Sequence, residues 1–143
     1  MPATSRRRAR ELALQALYGS EVGKRPVDEV LTELVTADEG RAFVRDLVLG
    51  TIENSAESDG LIAPLLEGWT LDRLPTIDRI ILRMSAFELN HRRETDAAVV
   101  INEAVELAKK FSTEDSGRYV NGVLARALAR RGGPVAELRG GAE

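Results

Sequence analysis

A chain of 143 residues, 43% hydrophobic and 30% charged, has the composition of an ordinary globule of one domain, or of two small subdomains sharing a core, rather than of a disordered segment. It has no cysteine, which excludes disulfides, thiolate metal sites and cysteine nucleophiles, and no stretch approaches the roughly 20 apolar residues of a membrane span. The net charge of −3 hides an asymmetry: residues 1–25 carry six basic and two acidic side chains, a net +4, so the remainder sums to −7, and a basic end on an acidic body points to an anionic partner.

The helical period runs from end to end. Met1 to Arg10 leads straight into a charged helix without the apolar core of a secretory signal, which predicts a cytoplasmic protein with no membrane association. Ala9, Leu12, Ala13, Ala16 and Leu17 form one apolar stripe on that first helix, which ends between Gly19 and Gly23. Pro26 suits the opening of a short second helix with Val27, Val30, Leu31 and Leu34. Thr36 and Glu39 have capping-box spacing and predict the start of a long third helix, lined by Phe43, Val44, Leu47, Val48 and Ile52 and interrupted at Gly60 and Pro64.

Gly68 and Trp69 mark a hinge between two halves, 1–67 and 68–131. Pro75 suits the first turn of a helix whose apolar set (Ile77, Ile80, Ile81, Leu82, Met84, Phe87, Leu89) covers nearly the whole circumference, so this is the expected central helix. A polar connector from Asn90 to Asp96 leads to a helix with Ile101, Ala104, Val105, Ala108 and Phe111. A last helix begins near Ser112 or Thr113 and carries Val120, Val123, Leu124, Ala127 and Leu128. Ala98 to Ile101 is a short apolar run, but it continues into helical spacing, and no fixed-period repeat is present. From Gly132 the glycines and Pro134 predict a flexible tail, 132–143. The expectation is an all-α fold of six or seven helices in two packed halves.

The chain lacks the phosphate-binding GxxxxGK[ST], GxGxxG and HExxH patterns. Its one histidine, His91, falls in the polar connector and reads as a solvated loop residue, so the sequence predicts no enzyme, no cofactor and no metal site. What stands out is Arg6-Arg7-Arg8-Ala9-Arg10. Three successive helical positions fan across about 200°, and guanidinium groups contact phosphates bidentately and stack on bases. The bland alternative is a solvated, frayed terminus. Gln15 and Tyr18 follow, with Tyr18 on the face of Arg10 and Leu14, either as a base-stacking platform or as a cover on the core edge. Near the other end, Lys109, Lys110, Phe111, Asp115, Ser116, Arg118, Tyr119 and Asn121 gather at a helix junction whose amides suit a phosphate. Asp115 also fits as a helix-start cap, Gly122 is expected to serve close helix packing, and Asn121 stays open.

Three blocks then carry a resemblance: RRRARELALQALY at Arg6–Tyr18, GWTLDRL with IDRIILRMSAFEL, and INEAVELAKKFSTEDSGRYVNGVL. In order and spacing they strongly resemble the NusB family of bacterial transcription antitermination factors, over roughly residues 5 to 128. The resemblance implies an all-α fold of two three-helix bundles. It implies binding to the single-stranded boxA element of ribosomal RNA transcripts together with NusE, a small-subunit ribosomal protein, within an antitermination complex on RNA polymerase. On this chain the RNA-binding set becomes Arg6, Arg7, Arg8, Arg10, Gln15, Tyr18, Lys110, Asp115, Ser116, Arg118 and Tyr119, and Asp78 falls where the family meets NusE. The family commonly has Phe at the place of Tyr119, and some members form homodimers. Two other readings compete with this one. Certain ribosomal RNA cytosine methyltransferases carry a NusB-like domain, but this chain has neither their cysteine nucleophile nor a nucleotide-binding glycine motif. A helical bundle that binds only proteins predicts no salt-dependent retention on RNA.

Overall fold

Helical periodicity becomes seven α-helices and two short 3-10 turns in the computed structural model, which describes residues 3–131; no strand occurs among them. In chain order they are α1 (Ala3–Gly23), α2 (Val27–Leu34), α3 (Arg41–Glu53), α4 (Ser55–Ile62), a 3-10 turn at Ala63–Leu65, a second at Leu71–Arg73, α5 (Thr76–His91), α6 (Ala97–Phe111) and α7 (Glu114–Arg130). The all-α expectation holds. No helix among the described residues is long and apolar enough to cross a membrane. The tail beginning at Gly132 lies outside the described residues.

Helix α5 is the hub: it packs against α1, α3, α4, α6 and α7, and ten of its sixteen residues are buried. Helices α1, α2 and α3 gather on one side of it and α6 and α7 on the other, and one continuous apolar core runs through both sides. Two buried carboxyl groups on α5 tie it to its neighbours. Glu88 pairs with Arg10 of α1, and Asp78 accepts from Ser116 of α7. Close approach of α3 to α5 depends on Gly50, where a Cβ would stand 2.0 Å from the Phe87 ring.

Several local expectations are corrected. Thr36 and Glu39 form no capping box. Helix α3 begins later, at Arg41, behind Gly40 in the left-handed region (φ 81°), a conformation that a glycine adopts without strain and that sets the turn itself. The first break in the following stretch falls at Asn54, whose side chain donates to the Gly50 carbonyl at 2.8 Å and ends α3; Gly60 sits inside α4 and Pro64 in the 3-10 turn after it. Pro75 stands one place before α5 rather than inside its first turn. Helix α5 continues through His91, so this residue is not a free loop histidine: it stacks on Phe87 at 5.6 Å and lies 2.7 Å from Glu57. Thr113 caps α7, accepting from the Ser116 amide at 2.9 Å. The packing glycine of α7 is Gly117, where a Cβ would meet the Lys109 side chain of α6 at 2.9 Å; Gly122 faces only Arg126 of its own helix.

Candidate nucleic-acid interface

The first turns of α1 sort their arginines by face. Arg6, Arg7 and Arg8 are exposed, whereas Arg10 is buried with the apolar stripe of Ala9, Ala13, Leu14, Ala16 and Leu17. Arg10 makes a two-pronged bond to Glu88 at 2.9 and 2.8 Å. Burial alone would lower its pKa, but the hydrogen bonds and charge of Glu88 outweigh burial and raise it, so the guanidinium is permanently charged. The Phe43 ring of α3 lies 4.0 Å from the Arg6 guanidinium and 5.4 Å from that of Arg10, giving the aromatic one cation on the surface and one beneath it.

Helix α6 completes the exposed edge. Arg7 forks onto Glu103 at 3.2 and 2.7 Å. One turn further along α1, Glu11 accepts from Arg8 at 3.2 Å and from Lys110 at 2.9 Å. Burial alone would raise the Glu11 pKa, but Lys110 and Arg8 prevail and hold it below the usual carboxylate range. The arrangement is layered. The cations Arg7, Arg8 and Lys110 keep 53%, 59% and 61% of their side-chain surface, while Glu103 and Glu11 keep 12% and 10%. Three cations therefore face solvent over two nearly covered carboxylates. Beside them an open cleft is lined by Arg8, Leu12, Leu34, Thr36 and Gly40.

The remaining candidates divide. Lys109 and Lys110 end α6, and α7 begins four residues after Lys110, so chain continuity brings the second cluster close to the cationic edge. Asp115 and Arg118 are exposed and pair with each other. Tyr119 is half-buried, with its hydroxyl buried and without a hydrogen-bond partner among the described residues; burial pushes its pKa up. Tyr18 is 39% exposed. It lies eleven residues beyond Arg7, about 16 Å along the helix. Gln15 is half-buried between them.

Arg10, Asp78 and Ser116, all expected as surface contacts, lie inside. The physical reason is shared. Each completes a hydrogen bond between helices, and exposing any of them would strand its partner. Glu11, Glu88 and Glu103 were not among the expected site residues, and Phe43, expected only on the inner face of α3, also meets Arg6 and Arg10. Glu88 was detectable as a carboxylate among the apolar residues of a helix whose apolar set covers nearly the whole circumference, where it must find a cation. Glu103 carried no such signal, because its partner lies 96 residues away, and Glu11 showed only its i,i+3 spacing to Arg8, while its bond to Lys110 spans 99 residues.

A helical body that displays guanidinium and ammonium groups along one edge, next to a capped helix start bearing a half-exposed tyrosine, belongs to the class of small all-α proteins with a cationic recognition edge. The matches narrow that class to one family. The model of the NusB family matches residues 7–129, and the chain belongs to that family. It is 44% identical to the transcription antitermination protein NusB of Geobacillus kaustophilus over 124 residues, covering 87% of this chain and 95% of the relative. The fold matches NusB from T. maritima with a TM-score of 0.84 at 33% identity, covering 97% of this chain and 98% of the other. It also matches a chain in the crystal structure of antitermination factors NusB and NusE in complex with dsRNA, with a TM-score of 0.81 at 25% identity, covering 90% and 99%.

Proposed function

We propose that this protein is a non-enzymatic, cytoplasmic transcription antitermination factor that binds RNA along the α1–α6 edge together with NusE. The observation that carries the reading is the layered edge itself, in which Arg6, Arg7, Arg8 and Lys110 present four exposed cations from two helices. These groups supply affinity through phosphates, with Arg118 and the ring of Tyr119 adding contacts at the start of α7 and Gln15 and Tyr18 extending the track along α1. The finer reading is a single-stranded boxA element of ribosomal RNA transcripts, in which unpaired bases expose the edges that give preference. RNA polymerase enters through the complex with NusE. Arg10, Asp78 and Ser116 act as the frame of the site rather than as contacts, and we place the division into 1–67 and 68–131 at the turn where Gly68 has a φ of 77°.

Fluorescence anisotropy of a labelled single-stranded boxA-type RNA, its scrambled counterpart and its duplex, each with and without NusE, tests the reading. Preference for the unscrambled single strand, strengthened by NusE, supports it. Preference for the duplex overturns the single-strand component, and equal weak binding of all three with no effect of NusE overturns the whole. Sedimentation of the protein alone and with RNA in the same buffer shows whether it forms a homodimer and whether that dimer gives way when RNA binds.

A further inference from the structure

The cationic edge has a built-in opposition. Glu103 and Glu11 are not part of a solvated charge mixture; each is nearly covered and holds cations that are more than half exposed. A phosphate approaching this edge meets Arg7, Arg8 and Lys110 first and feels two negative charges directly behind them. Two of the five N–H groups of Arg7 already point at Glu103, so its outward donors are those left over. On the proposal that the edge binds RNA, we infer that Glu103, assisted by Glu11, is a specificity-determining residue that suppresses binding of non-cognate RNA.

The reasoning is a difference of affinities. A strand that fits only through its phosphates gains all of its binding from charge, so a carboxylate beneath the cations takes away a large share of that gain. A strand that also places bases against protein groups has a second source of affinity and loses a smaller share. The charge penalty falls on both strands and by itself leaves their difference in binding free energy unchanged. The gap widens because Glu103 also fixes the guanidinium fork of Arg7 in one orientation, so a directed contact, which only the fitting strand makes, costs less ordering than a floppy arginine would.

Glu103→Gln separates these roles, because the amide keeps an oxygen acceptor for Arg7 and removes the charge. Affinities for a target single strand and for a scrambled strand of equal length are measured by anisotropy over a salt series, with far-UV circular dichroism and a thermal melt as the folding control. The scrambled strand should bind up to about fivefold more tightly to the variant, with the target gaining less, so that discrimination falls. The slope of log affinity against log salt should steepen by about 0.7 for the single strand, one additional effective phosphate contact. Glu11→Gln should move both quantities in the same direction. Equal weakening of both strands would reduce Glu103 to a clamp on Arg7 and overturn the inference, as would no change in the scrambled strand. If the wild-type protein binds neither RNA, the RNA reading itself fails and this inference with it. If it prefers the target and the variant keeps that preference, only this inference fails.

Discussion

Arg7 and Arg10 stand one turn apart on α1 and do opposite things. Arg7 lies over a carboxylate at the surface, where solvent screens the ion pair and leaves it little weight in stability. Arg10 is sealed against Glu88, each side chain at most 6% exposed, where the loss of one partner leaves an uncompensated buried charge. Arg10→Met should therefore cost about 3–5 kcal/mol in urea unfolding, and the Arg10→Met/Glu88→Leu double variant should recover most of that loss. A single-variant cost below about 1 kcal/mol would mean that water reaches the pair. Tyr119 gives the reverse case. Its buried hydroxyl has no partner among the described residues, so burial of the oxygen is uncompensated. Tyr119→Phe should leave the ring in place and raise stability by about 1 kcal/mol, read as a shift of the urea midpoint at constant slope. A destabilised variant would reveal a hydrogen bond to that hydroxyl in solution.

Between elements, Glu11 ties α1 to α6 through Lys110 while also holding Arg8, and the tie has a pH signature. Its pKa in the folded protein lies below the ordinary value of 4.5, despite the opposing effect of burial, because of Lys110 and Arg8. A carboxylate with a depressed folded pKa contributes stability that is fully present above its unfolded value and is lost as the pH falls through the folded one. The stability difference between wild type and Glu11→Gln should accordingly be constant from pH 7 to about 5 and shrink progressively below pH 4.5, by urea unfolding at each pH. A difference that stays constant down to pH 3 would show that Glu11 acts through packing alone. Elements of this kind explain what could be read in advance. The helices α1, α2, α5, α6 and α7 were legible because each repeats an apolar stripe over at least two turns, and the hub role of α5 because its apolar set covers nearly the whole circumference. The start of α3 was not, since Gly40 in the left-handed region sets it and no side-chain cap is made. The division at Asn54 was hidden for a similar reason: the backbone and side-chain N–H groups of Asn54 both turn back to the Gly50 carbonyl where the helix ends, while the periodicity continues. The arginine edge was visible as a run of residues, but its sorting into Arg7 outside and Arg10 inside depends on pairing with Glu103 and Glu88, and although Glu88 was detectable as needing a cation, no spacing shows which arginine each carboxylate takes.

The whole molecule sets how the edge is felt at a distance. Residues 1–25 net +4 against −7 for the rest, so an RNA strand is drawn to the α1 edge of a body whose remaining charge repels it. The range of that repulsion depends on salt. At 0.01 M the screening length is about 30 Å, comparable with the molecule, and the acidic body acts on the strand along with the edge. At 0.1 M it is about 10 Å, and only the edge remains in reach. Added salt therefore weakens the edge and relieves the body's repulsion at once in the dilute regime, while above 0.1 M only the weakening remains. Of the four exposed cations Arg6, Arg7, Arg8 and Lys110, two are offset by Glu11 and Glu103, so the net local charge seen by phosphates is about +2. For a single strand this corresponds to a limiting slope of about −1.4 in log affinity against log salt, at roughly −0.7 per phosphate. The plot for single-stranded RNA should thus be curved, shallow at low salt and approaching about −1.4 above 0.1 M. Anisotropy titrations from 0.02 to 0.3 M resolve the curvature. A straight line with a slope near −3 over that range would mean that four cations engage phosphates independently of the carboxylates beneath them and that the acidic body has no influence on the bound strand.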